Sequence, residues 1–437
     1  KIITLKDVNG IDAMVGLYEM ITNRYSFHLE VNGEQKTFTR DGLSAYLRHP
    51  KPDLRERAYQ ELNRVYTNDS TLLAQIYNHR VQDWHTEAIT LRGFKSPIAA
   101  RNLLNDIPDE VVDTLLSACR KNASLFHRYF ELKARWLNVD KLRRYDIYAP
   151  LAPSQTQYNF NDALELVFDS FQDFSPIAAE NAQKVVREAH LDSELRTGKR
   201  GGAFCYSVLP EYTPWVLVNF AGQARDVATI AHELGHAIHA LLAKDHSLLT
   251  YSPSLPLAET ASVFSEMLLT ERLLSVVSDP DTRRDLLSHA IDDAYATIIR
   301  QAFFTIFELD AHQIIADGAT FDEVASHYME NLTEQFGDSL ELSDDFRWEW
   351  VSIPHIYRSP FYTYAYSFGQ LLVLALYQQY RTYGPSFVPT YLKILSYGGS
   401  ASPAHILGEA GVDMTSYEFW QGGFDVLSGM LQTLESL

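Results

Sequence analysis

Apolar residues recur at intervals of three and four along most of the chain, a spacing that gathers them on one face of a helix. The pattern is plainest in Arg55–Tyr66, Glu110–Trp136 and Arg283–Ala316, and it predicts a long helix in each. The last stretch has no internal Gly or Pro and stops at Gly318, where a glycine can end a helix, so it is long enough to wall a cleft. Period-two alternation is confined to short pieces. Tyr25–Val31 alternates apolar and polar residues, Asn32-Gly33 follows, and Gln35–Thr39 completes a predicted hairpin, because Asn-Gly accepts the positive φ of a two-residue turn. A second pair of runs, Ala203–Val208 and Trp215–Phe220, is separated by a loop holding Pro210 and Pro214 and predicts another small β element. The expected fold class is mainly α.

No internal repeat, low-complexity tract or flexible linker divides the chain. The division expected is a mostly helical first part over residues 1–195, with the hairpin near 25–39, and a second part over 196–437, the two meeting near Arg196. Composition fits a folded protein: 437 residues, of which 46% are hydrophobic and 21% charged. The formal net charge of −19 repels phosphate backbones and argues against nucleic acid as a partner. Cys119 and Cys205 are too few for a disulfide framework and form no Cys-x-x-Cys pair, so a reducing, cytoplasmic setting is expected. Apolar runs such as Leu371–Leu376 are far shorter than the roughly 20 residues that cross a bilayer, and no membrane association is expected. Because the chain opens on Lys1 and not on Met, a native N-terminal or targeting segment ahead of it is left open.

The chemistry concentrates in Asp226–His239, where His232-Glu233-Leu-Gly-His236 sits inside a helical apolar pattern. Residues four apart lie one turn apart on the same face, so both imidazoles can aim a nitrogen at one zinc ion about 2.0–2.1 Å away. Glu233 is turned by roughly 100° from His232; it is poorly placed as a ligand but able to act as general base on a water at the metal. The bland alternative is an amphipathic helix with surface histidines. Ile230, Ala231, Leu234, Ala237 and Ile238 argue against it, since they bury the helix and buried imidazoles need partners. A catalytic zinc takes a third protein ligand, and the next helical pattern, from Leu257 to Leu269, offers Glu259 and Glu266. Seven residues apart, they share a helix face, so one can ligate while the other hydrogen-bonds a ligand; spacing alone does not rank them.

The block Gly198-Lys-Arg-Gly-Gly-Ala-Phe204, then Val218-Asn-Phe220, Arg225-Asp226 and the His232–His236 motif, resembles the oligoendopeptidase F branch of the thimet oligopeptidase (M3) family of zinc peptidases. Glu259 in Glu-Thr-Ala-Ser-Val-Phe-Ser-Glu266 matches the family's third zinc ligand. Ile353-Pro-His355-Ile-Tyr357 and Pro360-Phe-Tyr362-Thr-Tyr364-Ala-Tyr366 resemble its His and Tyr cluster, and Gly398-Gly-Ser400 and Gly411-Val-Asp413 match too. The resemblance implies one Zn2+ held by His232, His236 and Glu259, with Glu266 supporting a ligand. It implies substrate contacts at Gly201, Gly202, Ala203, Val218 and Asn219. It assigns His355, Tyr357, Tyr364 and Tyr366 to the substrate carbonyl and oxyanion, with His355 and Tyr364 favoured. If the stretch around them is helical, Tyr362 and Tyr366 share a face while Tyr364 points elsewhere. A large helical shell around a deep central channel is implied, together with endopeptidase action on short or unfolded peptides. The family's longer N-terminal helical portion implies a segment ahead of Lys1.

The strand Trp215–Phe220 is a candidate for pairing with an extended substrate. Two rival readings remain: a zinc exopeptidase, which needs a charged anchor for a substrate terminus, and a catalytically silent peptide-binding protein. A structural zinc in the latter would ordinarily take four protein ligands.

Overall fold

All three of the strongest helical patterns form helices, at Pro52–Asn68, Asp109–Trp136 and Arg300–Ala316. The third is preceded by Pro280–Ala294 and a π turn at Tyr295–Ile299, so the expected long helix is a run with one widened turn. The computed structural model describes residues 2–151 and 157–437. Mainly α architecture is borne out, and the β structure is limited to short strands.

Two compact units account for the chain, and they do not divide it at Arg196. The first is built from Lys1–Leu104, Cys119–Leu151 and Ile299–Tyr364, the second from Asn105–Ala118, Ala152–Ile298 and Ala365–Leu437. Such interleaving is invisible to a linear reading, because no change of composition marks the crossings.

In the first unit the predicted hairpin is present as strands β1 (Phe27–Val31) and β2 (Glu34–Phe38), antiparallel with Val31 opposite Glu34. Asn32 and Gly33 take φ of 55° and 81°, the two positive values that their turn needs. Phe27, Leu29 and Val31 are buried and alternate with exposed residues, and β1 packs on the helix Pro52–Asn68. The helix Arg300–Ala316 lies against Ser70–His85 and Phe321–Phe336 in a core that includes Tyr77, Phe307, Tyr328 and Trp350.

In the second unit strands β3 (Leu191–Asp192), β4 (Phe204–Tyr206) and β5 (Trp215–Leu217) form one sheet in the order β3-β5-β4, with β4 antiparallel and β3 parallel to β5. Lys199, its side chain almost wholly buried, ties this region together by donating to Asp192 Oδ1 and to the carbonyls of Asp192, Glu194 and Val218. Helix α1 (Ala224–Leu242) packs on the sheet, on the helices Phe160–Phe174 and Pro176–Arg187, and most extensively on helix α2 (Thr260–Val276). Among the described residues no helix is long and apolar enough to cross a membrane.

Candidate active site

Helix α1 begins with a reciprocal cap: Gln223 accepts from the Asp226 backbone, and Asp226 Oδ2 accepts from the backbone N–H of Gln223 (3.0 Å) and Ala221 (2.8 Å). Val227, Ile230, Ala231, Leu234 and Ala237 are fully buried and fix the rotation of the helix, leaving His232 and His236 partly exposed on the opposite side. Gly235 has a separate reason to be glycine. A Cβ there would stand 2.7 Å from Ala261 O, Ser262 Cα and Ser265 Oγ, so only glycine lets α1 and α2 approach this closely. A glycine in a helix interior costs about 1 kcal/mol relative to alanine; here the contact offsets it.

That approach carries Glu259, the residue just ahead of α2, to the imidazoles. Glu259 Oε2 lies 3.4 Å from His232 Nε2 and 3.4 Å from His236 Nε2. Four ligands about 2.0–2.1 Å from a tetrahedral ion are separated from one another by about 3.3–3.4 Å, so the spacing fits a zinc-sized ion. Ser262 Oγ donates to Glu259 Oε2 at 2.6 Å and orients it. His232 Nδ1 is 2.5 Å from Glu266 Oε1; a carboxylate acceptor there places the proton on Nδ1 and leaves Nε2 as the ligand atom. The geometry thus separates the two carboxylates that spacing alone left unranked. Burial pulls the His232 pKa down, but Glu266, with Glu259 and Glu233 nearby, outweighs it and raises the value. Burial pushes Glu259 up, yet His236, Ser262 and His232 bring it down to about 2, so it is a carboxylate.

Glu233 is buried, and burial raises its pKa. The backbone N–H of Cys205 on β4 faces its carboxylate and offsets part of that rise. This contact explains the edge that β4 presents. Cys205 sits opposite Val216, whose N–H goes to His190 O on the far side of β5, so the polar groups of Cys205 point out of the sheet toward α1. The expectation that Trp215–Phe220 could take an added strand is therefore corrected: β5 is central and paired on both sides, and the outer edge is that of β4.

Two cavities flank the triad within this unit. One, of about 500 Å3, is lined by Cys205, Ser207, His236, His239, Tyr251 and Glu259 among others; the second, of about 480 Å3, by Gly202, Asn219, Arg225, Thr229, Glu266 and Asp293. Ala203, His232 and Glu233 line both. His239 and the short helix Leu248–Tyr251 were not singled out by the sequence. His239 lies three residues beyond His236 and could have been flagged by helical spacing, and burial lowers its pKa to about 4.

The other expected residues fall into three groups. Gly201 and Gly202 are exposed and Ala203 partly so, while Asn219 Nδ2 donates to Arg200 O (3.0 Å) and Gly202 O (2.8 Å) and holds this loop. Val218 is 1% exposed, its N–H donating to Asp192 O and its carbonyl accepting from Lys199; it is a packing residue, which corrects its expected substrate contact. His355, Tyr357 and Tyr364 belong to the first unit and Tyr366 to the second. Tyr357 is fully buried, stacked on Tyr18 at 3.9 Å, with its hydroxyl donating to Leu73 O at 3.4 Å, so the oxyanion role expected of it is corrected to core packing. His355 is half-buried on the short helix Pro354–Arg358, its pKa lowered by burial and by Arg358 and Arg40. The helix carrying the tyrosines begins at Tyr364, after Phe361 at φ 57°, so the face-sharing expected of Tyr362 and Tyr366 does not apply. Tyr364 is buried and Tyr366 is 38% exposed.

Two imidazoles one turn apart, a carboxylate at the start of the next helix and a buried glutamate beside them make a centre of the metallopeptidase class. The chain belongs to peptidase family M3, whose profile matches residues 45–426. It is similar to the Group B oligopeptidase PepB of Streptococcus agalactiae serotype III (strain NEM316), at 28% identity over 411 residues covering 93% of this chain and 67% of that protein. The chromosomal oligoendopeptidase F of Lactococcus lactis subsp. cremoris is 28% identical over 408 residues, with the same coverage. A crystal structure from Chlamydophila abortus superposes with a TM-score of 0.92 at 26% identity, over 99% of this chain and 73% of that one. The chain is thus a peptidase of family M3 and spans about two thirds of the curated relatives named.

Proposed function

We propose that the chain hydrolyses internal bonds of short or unfolded peptides, with one Zn2+ held by His232, His236 and Glu259 and with Glu233 as the general base. The single observation that carries this reading is the position of Glu259 Oε2, 3.4 Å from both imidazole nitrogens, beside a buried carboxylate. Zn2+ bound there supplies Lewis acidity, polarising the scissile carbonyl and acidifying water. Glu233, buried beside the Cys205 N–H, accepts the proton of the attacking water and returns it to the departing amine. Its burial favours the protonated form and so raises its strength as a base, which suits both halves of that transfer. Glu266 keeps His232 in one tautomer.

The outward carbonyl of Cys205 and the backbone of Ala203 and Ser207 offer an extended peptide main-chain partners that are indifferent to its side chains, which supports broad sequence tolerance. The relatives' names, oligopeptidase and oligoendopeptidase, supply the substrate class. Tyr366, exposed and in the same unit as the metal ligands, is proposed as a donor to the oxyanion, worth about 3–4 kcal/mol of transition-state stabilisation. A reducing compartment, the cytoplasm, is the proposed setting for the two free thiols.

The test is a peptide of about ten residues blocked at both ends, incubated with zinc-loaded wild type and with Glu233→Gln, products being read by mass spectrometry. Wild type cleaves it internally, whereas Glu233→Gln retains zinc and loses about 10²–10⁴-fold in kcat. An intact blocked peptide beside a trimmed unblocked one would mean an exopeptidase, and wild-type turnover by the variant would remove Glu233 as the base.

A further inference from the structure

The second cavity is lined by a cation without an ion-pair partner among the described residues, and its position along the cleft gives it a use. On either side of β4, Gly202 before it lines only the second cavity and Ser207 after it only the first; along α1, Arg225 and Thr229 line the second, and His236 and His239 the first. Strand and helix therefore run the same way, from the second cavity to the first. An extended peptide added antiparallel to the free edge of β4, the stronger of the two pairing modes, runs in the opposite direction. Its N-terminal side then occupies the first cavity, and its C-terminal, leaving side the second.

Three charged side chains line that second cavity besides Glu233, namely Arg225, Glu266 and Asp293. Glu266 is bound to His232 and Asp293 has interactions of its own. Arg225 is exposed, and among the described residues no carboxylate lies within the 4.0 Å of an ion pair with its guanidinium. Its neighbour Asp226 is turned back onto the backbone of Ala221 and Gln223. Arg225 precedes His232 by seven residues, which places it on the same helix face to within about 20° and about 10 Å along the axis. An extended peptide advances about 3.3 Å per residue, so the guanidinium stands level with the third residue after the scissile bond and, given its reach, with the second.

We infer that Arg225 is a specificity-determining residue that receives a carboxylate on the leaving side of the substrate, two to three residues beyond the cleaved bond. The carboxylate is either the peptide's own C-terminus or an acidic side chain. A guanidinium presents a planar fork that matches a carboxylate with two parallel hydrogen bonds. The local cation sets this subsite apart from a chain whose net charge of −19 would otherwise disfavour anionic substrates. The inference rests on the peptidase reading above.

One peptide with a single cleaved bond and three residues after it serves as the probe. It is made as the free acid, as the C-terminal amide, and as the amide with Glu replacing Gln at the second or third leaving-side position. Wild type, Arg225→Gln and Arg225→Lys are compared by chromatography of the products, with circular dichroism to check folding. For wild type, amidation should raise KM about tenfold, with kcat within about twofold. Arg225→Gln should treat acid and amide alike, and Arg225→Lys should recover part of the difference. Recovery by the Glu amide identifies an acidic side chain as an acceptable source; recovery by the free acid alone identifies the terminal carboxylate. Equal KM for all peptides with wild type, or an unchanged acid preference in Arg225→Gln, overturns the assignment, as does an equal loss on acid and amide. If zinc-loaded wild type cleaves none of the peptides, the peptidase reading itself falls, which is distinct from cleavage without discrimination.

Discussion

Substituting Gly235 by alanine tests the packing on which the metal site depends. The added Cβ would lie 2.7 Å from two backbone atoms, Ala261 O and Ser262 Cα, and from Ser265 Oγ. Ordinary contact begins near 3.4 Å, so α1 and α2 must separate by about 0.7 Å or distort, because backbone cannot rotate away as a side-chain tip can. Glu259 and Ser262 travel with α2, whereas His232 and His236 travel with α1. Ligand positions tolerate about ±0.2 Å, so a displacement of that size is several times what the site can absorb. Overpacking costs about 1–3 kcal/mol, offset by about 1 kcal/mol of helix propensity gained on replacing glycine. The expected net is a modest fall in stability, about 0–2 kcal/mol, combined with a much larger loss of zinc affinity, about 10–100-fold by analogy with loss of a supporting ligand contact. Competition titration against a chromophoric chelator measures the affinity, and thermal unfolding of the metal-free protein measures the stability. Gly408→Ala is the control: it lies in a helix of the same unit, a Cβ added there would meet nothing within 4 Å, and it should leave zinc binding unchanged. Wild-type zinc affinity in Gly235→Ala would refute the claim that this close approach sets the ligand geometry.

Glu266→Ala should lower zinc affinity about 10–100-fold by releasing the His232 ring, with little effect on the unfolding midpoint of the metal-free protein; the same titration measures it. Tyr357→Phe should keep kcat within about twofold, since its hydroxyl is bonded to Leu73 O in the core, and should lower stability by about 1 kcal/mol in denaturant unfolding. Glu308 is fully buried, accepts from the Phe361 N–H at 3.0 Å, and is pushed by burial up to about 8 from the 4.5 of the free side chain. The folded state therefore holds its proton more tightly than the unfolded chain does. The contribution to stability is complete below pH 4.5 and is lost as pH rises toward 8, at up to about 1.4 kcal/mol per pH unit. Glu308→Gln should flatten that decline and be the more stable form at pH 8 in denaturant titrations; an equal decline in both proteins would exclude Glu308 as its source.

Local sequence determined whatever depends on neighbours along the chain. The three-and-four periodicity specifies the helices, Asn32-Gly33 specifies a turn that needs two positive φ values, and four-residue spacing sets His232 and His236 on one face with Glu233 turned aside. None of these requires a distant partner, so each was legible before any fold was known. The resemblance added Glu259 on the same linear footing.

Only the tertiary structure decided the matters that turn on distant partners. Glu259 and Glu266 are equivalent by spacing, and they separate because one lies just ahead of α2 between two imidazoles while the other reaches the far nitrogen of His232. Gly235 reads as a mild helix defect until α2 is seen packed against it. Trp215–Leu217 and Phe204–Tyr206 look alike as short apolar runs, and which of them is central depends on Leu191–Asp192 joining the sheet. Val218 and Tyr357 carry the right chemistry for a site but are enclosed by their surroundings, because burial is a property of the packed whole and not of a residue's place in the chain.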